Sequence, residues 1–181
     1  MMKQNGFTMI ELLTALGIVT ILAAVAVPNL QSFSMNSRQT GGVNELVSGM
    51  RIARNTAIST NTRVTMCASK SGTSCDAVGW DQGWIAFVDP DGDQTLDADE
   101  TILRAGSASE NLTIKSGQFA NFLVYRPNGR VMNANVAQNS GLFAVCDDRG
   151  AEHAKGIVLD LSGRARAVDR DSGAAVLYSC G

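Results

Sequence analysis

Residues 6–27 read GFTMIELLTALGIVTILAAVAV, and this stretch decides how the rest of the chain is read. From Phe7 to Val27 the run is 21 residues, about 30 Å as a helix at ~1.5 Å per residue. That length is enough to cross a hydrocarbon core. No charged residue occurs between Leu12 and Ser37. A signal anchor or a cleaved secretory leader is the ordinary reading of such a run, yet two features oppose it. A secretory leader ends its apolar region at a small-residue cleavage site, whereas here the small residue, Gly6, precedes the run. The second feature is Glu11, an acid just inside it. A carboxylate at that depth costs on the order of 2.5–3.5 kcal/mol and therefore calls for a partner. A cut after Gly6 would create an amino group at Phe7, one helical turn from Glu11. The amine of one chain could then pair with Glu11 of another inside a bundle of such helices, which makes Glu11 an assembly residue.

The remaining sequence is globular in composition. The chain has 181 residues, 45 % of them apolar and 18 % charged, with a net charge of −2. These values exclude a disordered chain and a protein coated all over with basic residues for nucleic acid. The charge is unevenly spread: nine acids face one base, Arg104, between Asp76 and Glu110, while seven bases face six acids from Asn121 onward.

Residues 6–13, GFTMIELL, resemble the prepilin leader of type IV pilins and type II secretion pseudopilins. The resemblance implies that a membrane prepilin peptidase cuts after Gly6 and N-methylates Phe7. It also implies that Glu11, the fifth residue of the mature chain, docks the subunit into a helical filament. Pro28 matches the family as well; lacking an amide hydrogen, it is expected to bend or locally melt the helix. Further on, WIAFVDPDGDQTLDADETILR, LVYRPNGRV and GIVLDLSGRARAV resemble the GspH/FimT/FimU group of minor pilins and minor pseudopilins. The implied fold is α+β, the type IV pilin fold, with a long N-terminal helix packed on an antiparallel sheet. The expected organisation is a leader over residues 1–6, a membrane and filament-core helix over 7–35, and a periplasmic head over 36–181. The implied partners are other minor and major pilins or pseudopilins, the peptidase and the inner membrane, with double-stranded DNA for members that take up DNA.

The periodicity of the remaining chain is consistent with that fold. Val43, Leu46, Val47, Met50, Ala53, Ala57 and Ile58 recur at helical spacing, with Arg51, Arg54 and Asn55 elsewhere on the wheel. They predict a helix to about Ser59 that lays an apolar stripe on a sheet. Gly41 and Gly42 invite a bend or fraying before it. From Arg63 onward short β-rich runs alternate with turn residues: RVTMCA, WIAFVD, TILR, FLVYR, LFAVC, GIVLDL, RARAV and AVLYS. Several alternate with period two, and Pro127-Asn128-Gly129 and Ser162-Gly163 read as hairpin turns.

Three groups of residues are candidates for chemistry. Cys67, Cys75, Cys146 and Cys180 allow three disulfide connectivities; Cys67–Cys75 and Cys146–Cys180 are favoured, in a compartment that permits them. Asp89, Asp91, Asp93, Thr95, Asp97 and Glu100 stand at positions 1, 3, 5, 7, 9 and 12 of a calcium-loop spacing. Gln94 stands where that loop uses glycine, and the flanks read as strands, so a solvated acidic hairpin loop competes with weak calcium binding. Finally, Gly163-Arg164-Ala165-Arg166 places two arginines on one strand face after a turn. In DNA-uptake members of the resembled family a Gly-Arg-x-Arg motif is associated with DNA binding, which makes Arg164 and Arg166 candidates for that role. Arg126, Arg130, Arg149, Lys155 and Arg170 could add to the patch, while Asp160, Asp169 and Asp171 oppose it; a strand pair salt-bridged to those acids is the competing reading. No nucleophile elbow, zinc-protease motif, phosphate loop or dinucleotide fingerprint occurs. His153 beside Glu152 reads as a loop histidine, and no enzyme activity is expected.

Overall fold

The computed structural model describes residues 8–133, 140–169 and 180. The chain divides into two compact units, Met1–Arg38 and Gln39–Gly181. Helix α1 (Met9–Thr60) runs through the division. Its first turn is capped by Thr8, whose Oγ1 accepts the Glu11 amide at 3.3 Å. This is the Thr-x-x-Glu pattern of a helix start.

The helix passes through Pro28 without a break. The local melting expected there does not occur. A proline ring already holds the backbone near helical φ, and the side-chain Nδ2 of the adjacent Asn29 donates to the Val25 carbonyl at 2.9 Å. Gly41 and Gly42 are helical too, contrary to the expected bend. Gly42 serves close packing instead: a Cβ there would lie 2.9 Å from Cδ1 of Leu112.

In the second unit, α1 buries Gln39, Val43, Leu46, Val47, Gly49, Met50, Ala53 and Ala57. Ile58, expected in that stripe, is exposed. Among the described residues this unit holds nine strands: β1 (Val64–Ala68), β2 (Trp84–Val88), β3 (Ile102–Gly106), β4 (Thr113–Lys115), β5 (Phe122–Tyr125), β6 (Val131–Met132), β7 (Gly141–Cys146), β8 (Lys155–Leu159) and β9 (Ala165–Asp169). They form two antiparallel sheets, ordered β3-β2-β1-β5-β6 and β4-β7-β8-β9. Strand β4 lies in a segment where no strand was expected, and the run AVLYS falls outside the described residues.

At β1 and β2 sheet one is buried on both faces, which explains why RVTMCA and WIAFVD are apolar almost throughout. Val64, Met66 and Ala68 join Met50, Ala53 and Trp84 in the main core. On the opposite face Cys67, Ile85 and Phe87 cluster with Cys75, Leu96 and Phe122. Trp84 sets the spacing of the main core. A Cβ at Gly49 would come within 2.2 Å of its ring, and one at Gly106 within 2.3 Å, so the indole fills the space that two missing side chains leave. Burying a side chain of this size is worth about 3 kcal/mol. Beside it, Trp80 meets Phe143 edge-on at 5.3 Å, and its Nε1 donates to the Phe119 carbonyl at 2.8 Å. Gln39 is completely buried, and its amide ties the helix to sheet two through the Val145 and His153 carbonyls.

Candidate functional sites

The N-terminal run presents its apolar side chains outward. Ile10, Leu13, Leu16, Val19, Leu22 and Val25 are all exposed, and α1 is long and apolar enough to cross a membrane. Glu11 is exposed among them. Gly6 and Phe7, the expected cleavage and methylation positions, lie outside the described residues.

Both cysteine pairs are closed. Cys67 is bonded to Cys75 and Cys146 to Cys180, with Cα–Cα distances of 5.5 and 5.8 Å. The first holds the 69–76 loop against the outer face of sheet one, where Cys75 packs on Phe87 and Ile85. The second fixes Cys180 beside Ala144 and Ala154.

The acidic loop between β2 and β3 is built around Asp89. Its carboxylate is completely buried and accepts the Thr65 hydroxyl at 2.5 Å and the amides of Gly92 and Gln94 at 2.6 and 3.3 Å. Asp91 accepts the Asp93 amide, and Asp93 the Thr95 amide. Gln94 takes φ 64°, the left-handed conformation for which glycine was expected, and its side-chain amide donates to the Gly92 carbonyl. Carboxylate oxygens of Asp89, Asp91 and Asp93 lie within 4.8 Å of one another, so these three fit a shared cation. Asp97 and Glu100 do not belong to that cluster among the described residues. Glu100 instead accepts the Asp97 amide at 3.0 Å. Mutual repulsion, chiefly from Asp93, raises the Asp97 carboxyl above its usual range, and partial burial raises Glu100. Leu96, between them in sequence, packs onto the outer cluster of sheet one.

The basic motif occupies the β8–β9 hairpin. Asp160 makes the turn: its Oδ1 accepts the amides of Ser162 and Arg164 and the Ser162 hydroxyl. These bonds, the Ser162 hydroxyl first, hold its carboxyl below the usual range. Gly163 takes φ 76°. Arg164 and Arg166 are exposed on either side of the buried Ala165, as strand alternation requires. Neither arginine forms an ion pair with Asp160, and Asp171, another acid of the competing reading, lies outside the described residues; Arg149 pairs with Asp147 at 2.6 Å.

Of the other expected basic residues, Arg130 lies against this turn, its Cα 3.3 Å from where a Cβ on Gly163 would stand, and three others are engaged by their own neighbours. Arg126 donates to Met132, Arg149 to Asp147 and Lys155 to Thr40, while Arg170 lies outside the described residues. Arg51 and Arg54 of α1 converge on the motif. With Asn55, Asp160, Arg164 and Arg166 they line a cleft of about 360 Å³ between the helix and the hairpin. Only their place on the helical wheel pointed to them in sequence; nothing there paired them with a strand a hundred residues on. Arg54 Nε donates to the carbonyls of Gly129 and Ser162 at 3.1 and 3.2 Å. Nearby, Tyr125 is fully buried, its hydroxyl unpartnered among the described residues. Burial pushes its ionisation far above the normal phenol range, against the pull of Arg54.

A long N-terminal helix, half of it apolar and exposed and half packed on antiparallel sheets, defines a type IV pilin-like subunit. Comparison with known proteins assigns the family. Residues 42–163 match the family described as type II transport protein GspH, and residues 1–27 match the prokaryotic N-terminal methylation motif. The chain belongs to the GspH family. It is 36 % identical over 76 residues to a fimbrial protein of Pseudomonas aeruginosa, covering 42 % of this chain and 49 % of that one. To fimbrial protein Q of Moraxella bovis it is 45 % identical over 49 residues, 27 % of this chain and 31 % of that one. The chain thus spans about half the length, or less, of the curated relatives it matches. Its fold resembles the minor pilin FimU of P. aeruginosa, with a TM-score of 0.56 and 18 % identity over 75 % of this chain and 92 % of that one. It also resembles the minor pseudopilin EpsH of Vibrio cholerae, with a TM-score of 0.51 and 8 % identity over 75 % and 99 %.

Proposed function

We propose that this chain is a structural subunit that primes or caps a type IV pilus or a type II secretion pseudopilus, with no catalytic role. The single observation that carries the reading is the placement of Glu11. It is the one acid in an outward-facing apolar run, one turn from the amine that cleavage after Gly6 would release at Phe7. An unpaired carboxylate in that setting is costly, and the free amine of a neighbouring helix offsets the cost only in an assembly. In this reading the peptidase cuts after Gly6 and methylates Phe7, the helix resides in the inner membrane before assembly, and the head lies in the periplasm. Oxidation of both cysteine pairs fits that compartment. The acidic loop enters as a structural hairpin loop built on the buried Asp89 carboxylate.

The test is made in cells. Mass spectrometry of the mature chain is expected to show an N-methylated Phe7, and an uncut Gly6–Phe7 bond in cells containing the peptidase would overturn the proposal. Glu11→Val is expected to insert normally yet be lost from sheared filaments. A deletion strain then separates the machines: loss of surface pili with intact exoprotein secretion assigns the pilus, and the converse assigns the pseudopilus.

A further inference from the structure

We propose that the cleft between α1 and the β8–β9 hairpin is a receptor for an acidic loop of a neighbouring pilin-type head. Four arginines, Arg51, Arg54, Arg164 and Arg166, line it against the single acid Asp160. None of the four has a carboxylate within 4.0 Å among the described residues. Asp160 offsets only one of the four charges, and its Oδ1 is taken up by the turn that presents Arg164. Four guanidinium groups around about 360 Å³ is an arrangement that repels itself. It is relieved by an anion, and the planar forks suit carboxylates paired side by side.

The shape and the surrounding field favour a short acidic peptide over a polyanion. The cleft is a bounded recess between one helix and one hairpin, sized for a few side chains. The chain around it carries a net charge of −2, which repels an extended duplex while leaving a local contact intact. A ligand of the right chemistry is present on this fold: the loop from Asp89 to Glu100 exposes Asp91, Asp93, Asp97 and Asp99. A donor loop and an acceptor cleft on one chain are the two halves of a head-to-tail contact, the kind that builds helical assemblies rather than closed dimers. The inference rests on the reading of the chain as an assembled subunit, but the binding test below needs no assembly, so the two fail separately.

The probe is a labelled peptide of residues 89–100, DPDGDQTLDADE, titrated with the full chain in detergent micelles. Arg51 and Arg166 are the residues to replace, because both are exposed and their side chains make no hydrogen bond within the protein among the described residues. Salt-sensitive binding is expected, weakened about tenfold or more by Arg51→Glu with Arg166→Glu. Circular dichroism checks that the doubly substituted chain is folded. The same chain is expected to bind a peptide with lysine at every acidic position, which the unaltered chain does not. Absence of peptide binding, or binding indifferent to the two substitutions, overturns the proposal. So does duplex DNA that binds through these arginines and is not displaced by the peptide, which would make the cleft a nucleic-acid site.

Discussion

A Cβ placed on Gly163 would lie 2.0 Å from the carbonyl oxygen of Gly129, so the β8–β9 turn and the β5–β6 turn touch through bare backbone. The two turns belong to different sheets, and this contact helps lock the hairpin carrying Arg164 and Arg166 in place. Gly163 also sits at φ 76°, where any side chain is strained. Gly163→Ala therefore meets a backbone clash and an unfavourable dihedral together, for a combined cost of about 2–4 kcal/mol. Denaturant unfolding of the chain in detergent is expected to show that loss. A fall under about 0.5 kcal/mol, the usual range of a surface change, would mean the turns are free to part.

Arg54 closes the same junction from the helix side, since its Nε donates to a carbonyl of each turn, Gly129 and Ser162. Charged donors to such carbonyls are worth about 1.5–3 kcal/mol. Arg54→Ala is expected to cost an amount in that range. Arg54→Lys should recover only part of it, because an ammonium at the end of a longer stem does not reproduce the fixed fork. Equal stability of the two variants would show that charge alone matters at this position.

The contrast between Arg164 and Arg54 shows how far local pattern reaches. Arg164 and Arg166 were legible because a turn signal and period-two alternation are properties of adjacent residues. Arg54 was placed correctly off the apolar stripe, but its partners Gly129 and Ser162 are set by how two sheets meet the helix, which no spacing records. At Pro28 the flanking turns sustain the helix, so the missing amide does not melt it. Gly42 likewise read as flexibility in sequence, whereas in the fold it is where Leu112 approaches the helix, as Gly49 is for Trp84. Strand β4 is three residues long, too short to carry a period of its own. The acidic spacing was legible, as was its departure at Gln94; that Gln94 adopts the left-handed conformation anyway could be seen only in the backbone.

The disulfides should contribute unequally. The 67–75 bridge spans a sequence separation of 8 and the 146–180 bridge one of 34. By loop-closure entropy these correspond to about 2.5 and about 4 kcal/mol. Replacing Cys146 and Cys180 together by serine is expected to lower stability more than replacing Cys67 and Cys75. Parallel urea titrations measure the difference, and the reverse order would show that packing of Cys75 on Phe87 outweighs chain entropy.

Two sets of carboxylates give the chain opposite responses to acid. Asp160 is held below its usual range by the Ser162 hydroxyl and Asp147 by the Arg149 guanidinium. Each favours the folded state above the unfolded value near pH ~3.9 and loses that contribution as pH falls through the lower folded value. Asp97 and Glu100 are raised, so they oppose folding at neutral pH and cease to do so as they take up protons, which happens above pH ~4. Acidification from neutrality should first relieve the loop and then undo the turn. Asp97→Asn is expected to raise the melting temperature at pH 7 and to reduce the early gain, leaving the part due to Glu100. Asp160→Asn keeps an acceptor in the turn and should flatten the later loss. Thermal scans of both variants between pH 7 and pH 3 test the assignment. An early gain that survives Asp97→Asn and Glu100→Gln together would place the repulsion elsewhere than the loop.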